Sequence, residues 1–96
     1  MQANSIPTPR RGFQLEEMGE ENLLYRHSAK RVVYLNASAA VIWRLCDGKR
    51  TIAAIETLLT ENYPEAGAEI SADVRQTIEM LMREGALRLT SAVGGD

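Results

Sequence analysis

The chain has 96 residues, a length that allows one domain with a single compact core. Hydrophobic residues make up 45% and charged residues 25%, which is ordinary for a soluble globular protein and excludes collagen-like, coiled-coil-only and wholly disordered chains. No apolar run approaches the roughly 18 residues that span a bilayer. Residues 1–11 also lack the hydrophobic stretch of a signal peptide. We therefore expect a cytoplasmic protein with no membrane partner.

Charge is distributed unevenly along the chain. Residues 1–50 hold eight basic and five acidic side chains, a net charge of +3. Residues 51–96 hold three basic and eight acidic side chains, a net charge of −5. The negative second half argues against a general polyanion binder, although it leaves room for a local basic patch in the first half.

Both ends of the chain are predicted to be flexible. Residues 1–10 are polar and contain Pro7 and Pro9, which favour extended chain, so we expect an N-terminal arm. Residues 91–96 offer little to bury and are predicted to form a C-terminal tail. The folded domain is thus expected over residues 11–90.

Three short strands are predicted in the first half of the domain. Residues 13–18 alternate apolar and polar side chains, and a turn candidate at Gly19 separates them from a second apolar stretch at residues 22–27. Residues 31–35 give the strongest strand signal, because β-branched and aromatic side chains pack well on a pleated surface. Short connections between the three segments predict an antiparallel meander.

Three helices are predicted to follow. Three residues with short polar side chains stand at candidate N-cap positions: Asn36, Thr51 and Ser71. The helices are expected to end at Asp47-Gly48, at Tyr63-Pro64 and at Gly85. Apolar residues recur at helical spacing in each one, and residues 86–89 add a short extended segment.

These elements predict an α+β fold that is winged-helix-like, with a three-stranded antiparallel sheet followed by three helices. A small meander must bury one face, and three amphipathic helices supply the cover. Short helices with short connections at this spacing are typical of helix-turn-helix and winged-helix domains.

The sequence offers little for catalysis or cofactor binding. It has one histidine, His27, and one cysteine, Cys46, whereas a zinc site needs about four ligands. Cys46 lies in a predicted apolar helix, which disfavours activation of its thiol. No glycine-rich phosphate loop is present. We therefore predict neither an enzyme nor a resident cofactor.

A winged-helix DNA-binding regulator is the alternative that this architecture suggests. The third predicted helix, residues 71–85, would then read the major groove. It carries two arginines and three acidic residues, a net charge of −1, and DNA phosphates would repel it. The charge favours a protein without a nucleic-acid partner.

Two segments carry a family resemblance. Residues 34–39 (YLNASA) and 42–51 (IWRLCDGKRT) resemble the PqqD family, the peptide chaperones of pyrroloquinoline quinone (PQQ) biosynthesis and similar leader-recognition domains. The resemblance implies a non-catalytic module that binds the leader of a ribosomally made precursor peptide. It also implies a radical S-adenosylmethionine (SAM) maturase as partner, whose iron–sulfur clusters belong to that enzyme.

The residues suggest how such a peptide would bind. The third predicted strand would lie at a sheet edge, where an incoming peptide adds as a further strand, and the third helix would supply side-chain contacts. The candidate peptide-binding residues are Arg31, Val32, Val33, Tyr34, Leu35, Val74, Arg75, Ile78, Leu81 and Met82. The sequence leaves open which face of the strand meets the ligand. An unpaired edge also permits self-pairing, so we expect a monomer or a weak homodimer.

Overall fold

The computed structural model describes residues 1–26, 28 and 31–91. Its strands are β1 Ser5–Pro9, β2 Phe13–Met18, β3 Glu21–Arg26, β4 Arg31–Leu35 and β5 Leu87–Ser91. Its α-helices are α1 Ala37–Leu45, α2 Ile52–Asn62 and α3 Gly67–Arg83, with a 3₁₀ turn at Pro64–Ala66 between α2 and α3. The predicted α+β class is confirmed. None of the helices in these described residues is long and apolar enough to cross a membrane.

The predicted three-stranded antiparallel sheet is confirmed. Its strand order is β2-β3-β4, with Leu15 opposite Leu24 and Leu24 opposite Val33. Because these three residues face each other across the sheet, they form one apolar row, and Leu24 at its centre is fully buried. The predicted connection before β4 includes residues 27 and 29–30, which lie outside the described residues.

The first two helices begin where the sequence predicts. The side-chain oxygen of Asn36 accepts a hydrogen bond from the Ala39 N–H at 2.8 Å, and that of Thr51 accepts one from the Ala54 N–H at 3.0 Å. Each bond satisfies a backbone donor that has no partner within the helix. The side chain of Asp47 accepts backbone N–H bonds in the α1–α2 loop, chiefly from Arg50, and these bonds lower the pKa of its carboxyl.

The third helix begins earlier than predicted, so the assignment of Ser71 as its N-cap is wrong. The helix begins at Gly67, and Ser71 lies inside it. The Ser71 hydroxyl donates to the Glu56 carboxylate of α2 at 3.3 Å instead of capping a helix end. The missed signal is Ile70, which is buried and extends the apolar stripe one turn ahead of Val74.

The N-terminal segment contains a strand where a flexible arm was expected. β1 pairs antiparallel with β5, from Ser5 opposite Ser91 to Pro9 opposite Leu87, and the predicted extended segment after α3 is thereby part of a second sheet. Two prolines fit in β1 because residues two apart direct their backbone nitrogens to the same side of a strand. In this two-stranded sheet that side points away from β5 and has no partner strand, so no ladder hydrogen bond is lost. Of the predicted C-terminal tail, residues 92–96 lie outside the described residues.

The core lies between the three-stranded sheet and the helices, in a two-layer arrangement. Sheet, helices and β5 all contribute fully or almost fully buried aliphatic side chains: Leu24, Ile42, Ile52, Ile55, Val74, Ile78, Leu81 and Leu87. No buried polar or charged side chain is found among the described residues.

Candidate functional site

Strand β4 is an edge strand. It pairs with β3 on one side, and none of the described strands pairs with its other side. Backbone N–H and C=O groups along that side are available to an incoming strand. Within β4, Leu35 is buried and Val33 half-buried, whereas Val32 is 48% and Tyr34 69% exposed. Val33 and Leu35 therefore face the helices, and Val32 and Tyr34 form the opposite, exposed face of the strand.

One ion pair and one shared cavity relate the direction of α3 to that of β4. Arg31, the first residue of β4, donates to the carboxylate of Glu84 at the end of α3, at 2.6 Å. Beyond the other end of the strand, Ala37 lines a cavity together with Asp73 of α3. Six extended residues span about 20 Å and eleven helical residues about 16 Å, so the ion pair and the shared cavity agree with strand and helix running antiparallel.

One row of α3, between Asp73 and Glu84, was not singled out by the sequence reasoning. Asp73 and Glu84, placed by the shared cavity and the ion pair above, define one stripe of the helix. Thr77 and Met80 fall on the same stripe, because the four residues have the spacing i, i+4, i+7 and i+11. Both Thr77 and Met80 are half-buried. A stripe of two acids, a threonine and a methionine lacks an apolar pattern, so periodicity alone did not single it out. We call Asp73, Thr77, Met80 and Glu84 the α3 row.

The structure places the α3 residues that the sequence suggested for ligand contact in the core and on the side toward α2, and Val74 also lines a cavity between the helices. Val74, Ile78 and Leu81 are fully buried and hold α3 onto the core, because they form the apolar stripe itself. Arg75 points to α2, where its Nε lies 3.5 Å from the Glu56 carboxylate. Met82 is 38% exposed and lies one helical repeat, i+7, from Arg75 on that same side. Leu35 of β4 lies in the same buried cluster as Val74, Ile78 and Leu81, and Val33 packs against that cluster. The assignment of these residues to a peptide site stays a prediction.

The outer face of the three-stranded sheet carries exposed apolar side chains. Val32 lies opposite Tyr25 and Tyr34 opposite Leu23, so all four share the face that points away from the helices. The Tyr25 hydroxyl donates to the Glu16 carboxylate at 2.8 Å, and this hydrogen bond raises the pKa of Tyr25. A peptide added to β4 would place alternate side chains on this face and toward the α3 row.

The lone cysteine does not form a reactive centre. Cys46 is 3% exposed, and its burial, with a smaller contribution from the charge of Asp47, raises the pKa of the thiol to about 12. The thiolate is the nucleophilic form of cysteine, and it is scarcely populated at neutral pH with such a pKa. His27, the other chemically distinctive residue, lies outside the described residues. Within the described part of the chain, no group of three or more histidine, cysteine, aspartate or glutamate residues is placed to hold a metal ion.

Comparison with known proteins gives the family. Residues 14–87 match the family described as "Coenzyme PQQ synthesis protein D (PqqD)". The chain belongs to the PqqD family. The matched PqqD region begins in β2 and reaches the first residue of β5, so it contains both β4 and the α3 row.

Individual PqqD relatives agree with this assignment. The chain is 37% identical over 87 residues to a protein of Klebsiella pneumoniae strain 342 named "PqqA binding protein", covering 88% of this chain and 90% of that protein. It is 39% identical over 77 residues to a protein of the same name from Azotobacter vinelandii, covering 80% and 83%. No solved structure gave a significant match to the chain.

Proposed function

We propose that the chain is a non-catalytic peptide chaperone of PQQ biosynthesis. It binds the leader of a ribosomally made precursor peptide, the counterpart of the PqqA named in its relatives, and presents that peptide to a radical SAM maturase in the cytoplasm. The unpaired edge of β4 is the observation that carries this proposal. Strand addition at that edge explains how a small domain binds a flexible peptide without a deep active site.

The binding mode follows from the geometry of the edge. The peptide pairs its backbone with Arg31–Leu35 and lays alternate side chains toward Thr77 and Met80. Each backbone bond contributes only about 0.5–1.5 kcal/mol net, and ordering a flexible peptide opposes binding. The expected affinity is therefore modest, as suits a chaperone that must hand its peptide to the maturase.

The charge of α3 argues against a nucleic-acid partner. Helix α3 carries three acidic and two basic side chains, so a DNA phosphate would be repelled from it. The protein itself supplies no cofactor, and the iron–sulfur chemistry belongs to the maturase. We propose a monomer or a weak homodimer, because the edge that receives the peptide also permits pairing between two copies.

A proline pair tests strand addition. Adjacent residues of a strand point their N–H groups to opposite sides, so only one of Val32→Pro and Val33→Pro removes a donor from the unpaired edge. We expect that variant to fold and to lose about threefold to tenfold in affinity for the synthetic PqqA peptide of the same genome. The other variant is expected to lose pairing with β3 and to be destabilised.

An NMR titration of isotope-labelled wild-type protein with that peptide maps the binding site. Amide shifts are expected along Arg31–Leu35 and at Thr77 and Met80. Shifts confined to α2, or unchanged affinity in the folded proline variant, would contradict strand addition at β4. Presentation is tested by adding the radical SAM enzyme of the same genome, which should bind the protein–peptide complex.

A further inference from the structure

A cavity of about 330 Å³ lies between the three helices, close to the end of β4. Its wall comes from the first turns of α1, the end of α2 with the 3₁₀ turn, and the first half of α3. Val41, Leu59 and Ile70 give it an apolar interior, and Tyr63 stands at its opening with 53% of its surface exposed. A space of this size holds one large side chain, and its apolar wall favours an apolar one.

The cavity is in line with the proposed peptide strand. Ala37 and Ser38, which line it, follow the last β4 residue with only Asn36 between, and Asn36 is itself extended. An added strand advances about 3.3 Å per residue, so a peptide paired along β4 brings a side chain over the opening about two residues beyond Leu35.

The charge around the cavity determines which charge the ligand can carry next to that apolar side chain. Asp73 is the one charged residue among the described residues that line it, and it is exposed. Residues 51–74 carry five acidic side chains and no lysine or arginine. A ligand with a positive charge beside its apolar group therefore complements this surface, whereas an acidic ligand is repelled.

We propose that this cavity, the anchor pocket, receives a bulky apolar side chain of the bound precursor peptide, with a lysine or arginine next to it over Asp73. The inference rests on the proposed function and adds its sequence selectivity. Backbone pairing with β4 accepts almost any sequence, so a pocket for one side chain is what distinguishes the correct peptide from others.

A substitution at the opening tests the pocket directly. Ser38 is exposed in the first turn of α1, so Ser38→Trp places an indole in the opening. Thr57→Trp is the matched control, because it places the same indole on an exposed position of α2 that does not line the cavity. We expect Ser38→Trp to weaken binding of the synthetic PqqA peptide of the same genome about tenfold to hundredfold, the range expected for one buried apolar side chain. Thr57→Trp should bind as the wild type does.

Two double-mutant cycles identify the peptide side of the contact. An alanine scan of the same peptide should find one apolar position whose loss costs about tenfold in the wild type and little in Ser38→Trp. Asp73→Asn should weaken binding about threefold at low salt and less at high salt, with the loss absent for a peptide whose neighbouring basic residue is changed to glutamine.

The outcomes separate this inference from the proposed function. If the β4 proline variant weakens binding but Ser38→Trp does not, the anchor pocket is excluded and the peptide chaperone stands. If the wild type binds no peptide, the proposed function fails and the pocket with it. Should Ser38→Trp not fold, nuclear Overhauser effects between peptide methyl or aromatic protons and Val41 or Ile70 of the wild type decide the matter, and their absence overturns the pocket.

Discussion

At the scale of single residues, Cys46 shows how burial removes reactivity. The thiol lies at the end of α1 with 3% of its surface exposed, and its pKa is raised to about 12. A thiol with a raised pKa is neutral in the folded state over the physiological range. The stability linked to it is complete below the ordinary thiol pKa and is lost as the pH rises toward 12.

This burial makes a direct prediction for thiol labelling. At pH 8, we expect a disulfide reagent such as dithionitrobenzoate to react with the native protein at least about 100-fold more slowly than with the protein in guanidinium, because both thiolate formation and access are suppressed. Absorbance of the released thiolate measures the rates, and Cys46→Ala gives the blank. Labelling at equal rates in both states would refute the buried position.

Asn36 joins the two halves of the domain, and its side chain has a defined energetic role. Its Oδ1 accepts the Ala39 N–H at 2.8 Å and the Ser38 hydroxyl at 3.1 Å, directly after β4. We expect Asn36→Ala to lower the free energy of unfolding by about 1 kcal/mol, and Asn36→Asp, which keeps the acceptor oxygen, to cost only a few tenths. Urea denaturation measures both, and equal losses would show that the cap contributes nothing.

At the scale of elements, the sequence predicted those that local chemistry determines. The strands β2, β3 and β4 follow from alternation and β-branched residues, and α1 and α2 follow from their caps and apolar spacing. The start of α3 was misplaced because Ser71 has a side chain suited to an N-cap but lies inside the helix beside Glu56. A capping residue gives only a local preference for a helix start, and the burial of Ile70 outweighs that preference.

The candidate site also has one part that could be predicted from the sequence and one part that could not. Its strand was predictable, because residues 31–35 carry the strongest strand pattern and have no following strand to cover them. Its helical side was not predictable, because side-chain hydrophobicity identifies only the stripe of α3 that packs into the core. The row between Asp73 and Glu84 is recognised only from the tertiary structure, namely from the ion pair of Arg31 with Glu84 and the cavity lined by both Ala37 and Asp73. Residues next to a core stripe are therefore the ones that sequence reasoning misses at a groove.

At the scale of the whole molecule, the first and the last described strands pair with each other. Pairing of β1 with β5 joins residues 78 to 86 positions apart, and side-chain contact between Thr8 and Thr90 follows from it. No periodicity within the first ten residues can report such a distant partner, and Pro7 and Pro9 favoured an arm. Their placement is consistent with the pairing, since the carbonyl of Pro7 accepts the Gly48 N–H at 3.2 Å on the side away from β5.

The N-terminal segment is thus predicted to stabilise the fold without forming the peptide site. Deleting residues 1–9 removes β1, the Gly48 contact and the Ala3 carbonyl that accepts the Ala53 N–H of α2 at 2.9 Å. We expect a loss of about 2–4 kcal/mol in the free energy of unfolding, from several backbone hydrogen bonds of about 0.5–1.5 kcal/mol each and the exposure of buried Pro7. Deletion of residues 1–2 alone should cost much less. Because β4 belongs to the other sheet, the folded fraction of the longer deletion should bind peptide with unchanged affinity, and a peptide affinity that falls in proportion to stability would show that β1 and β4 are coupled.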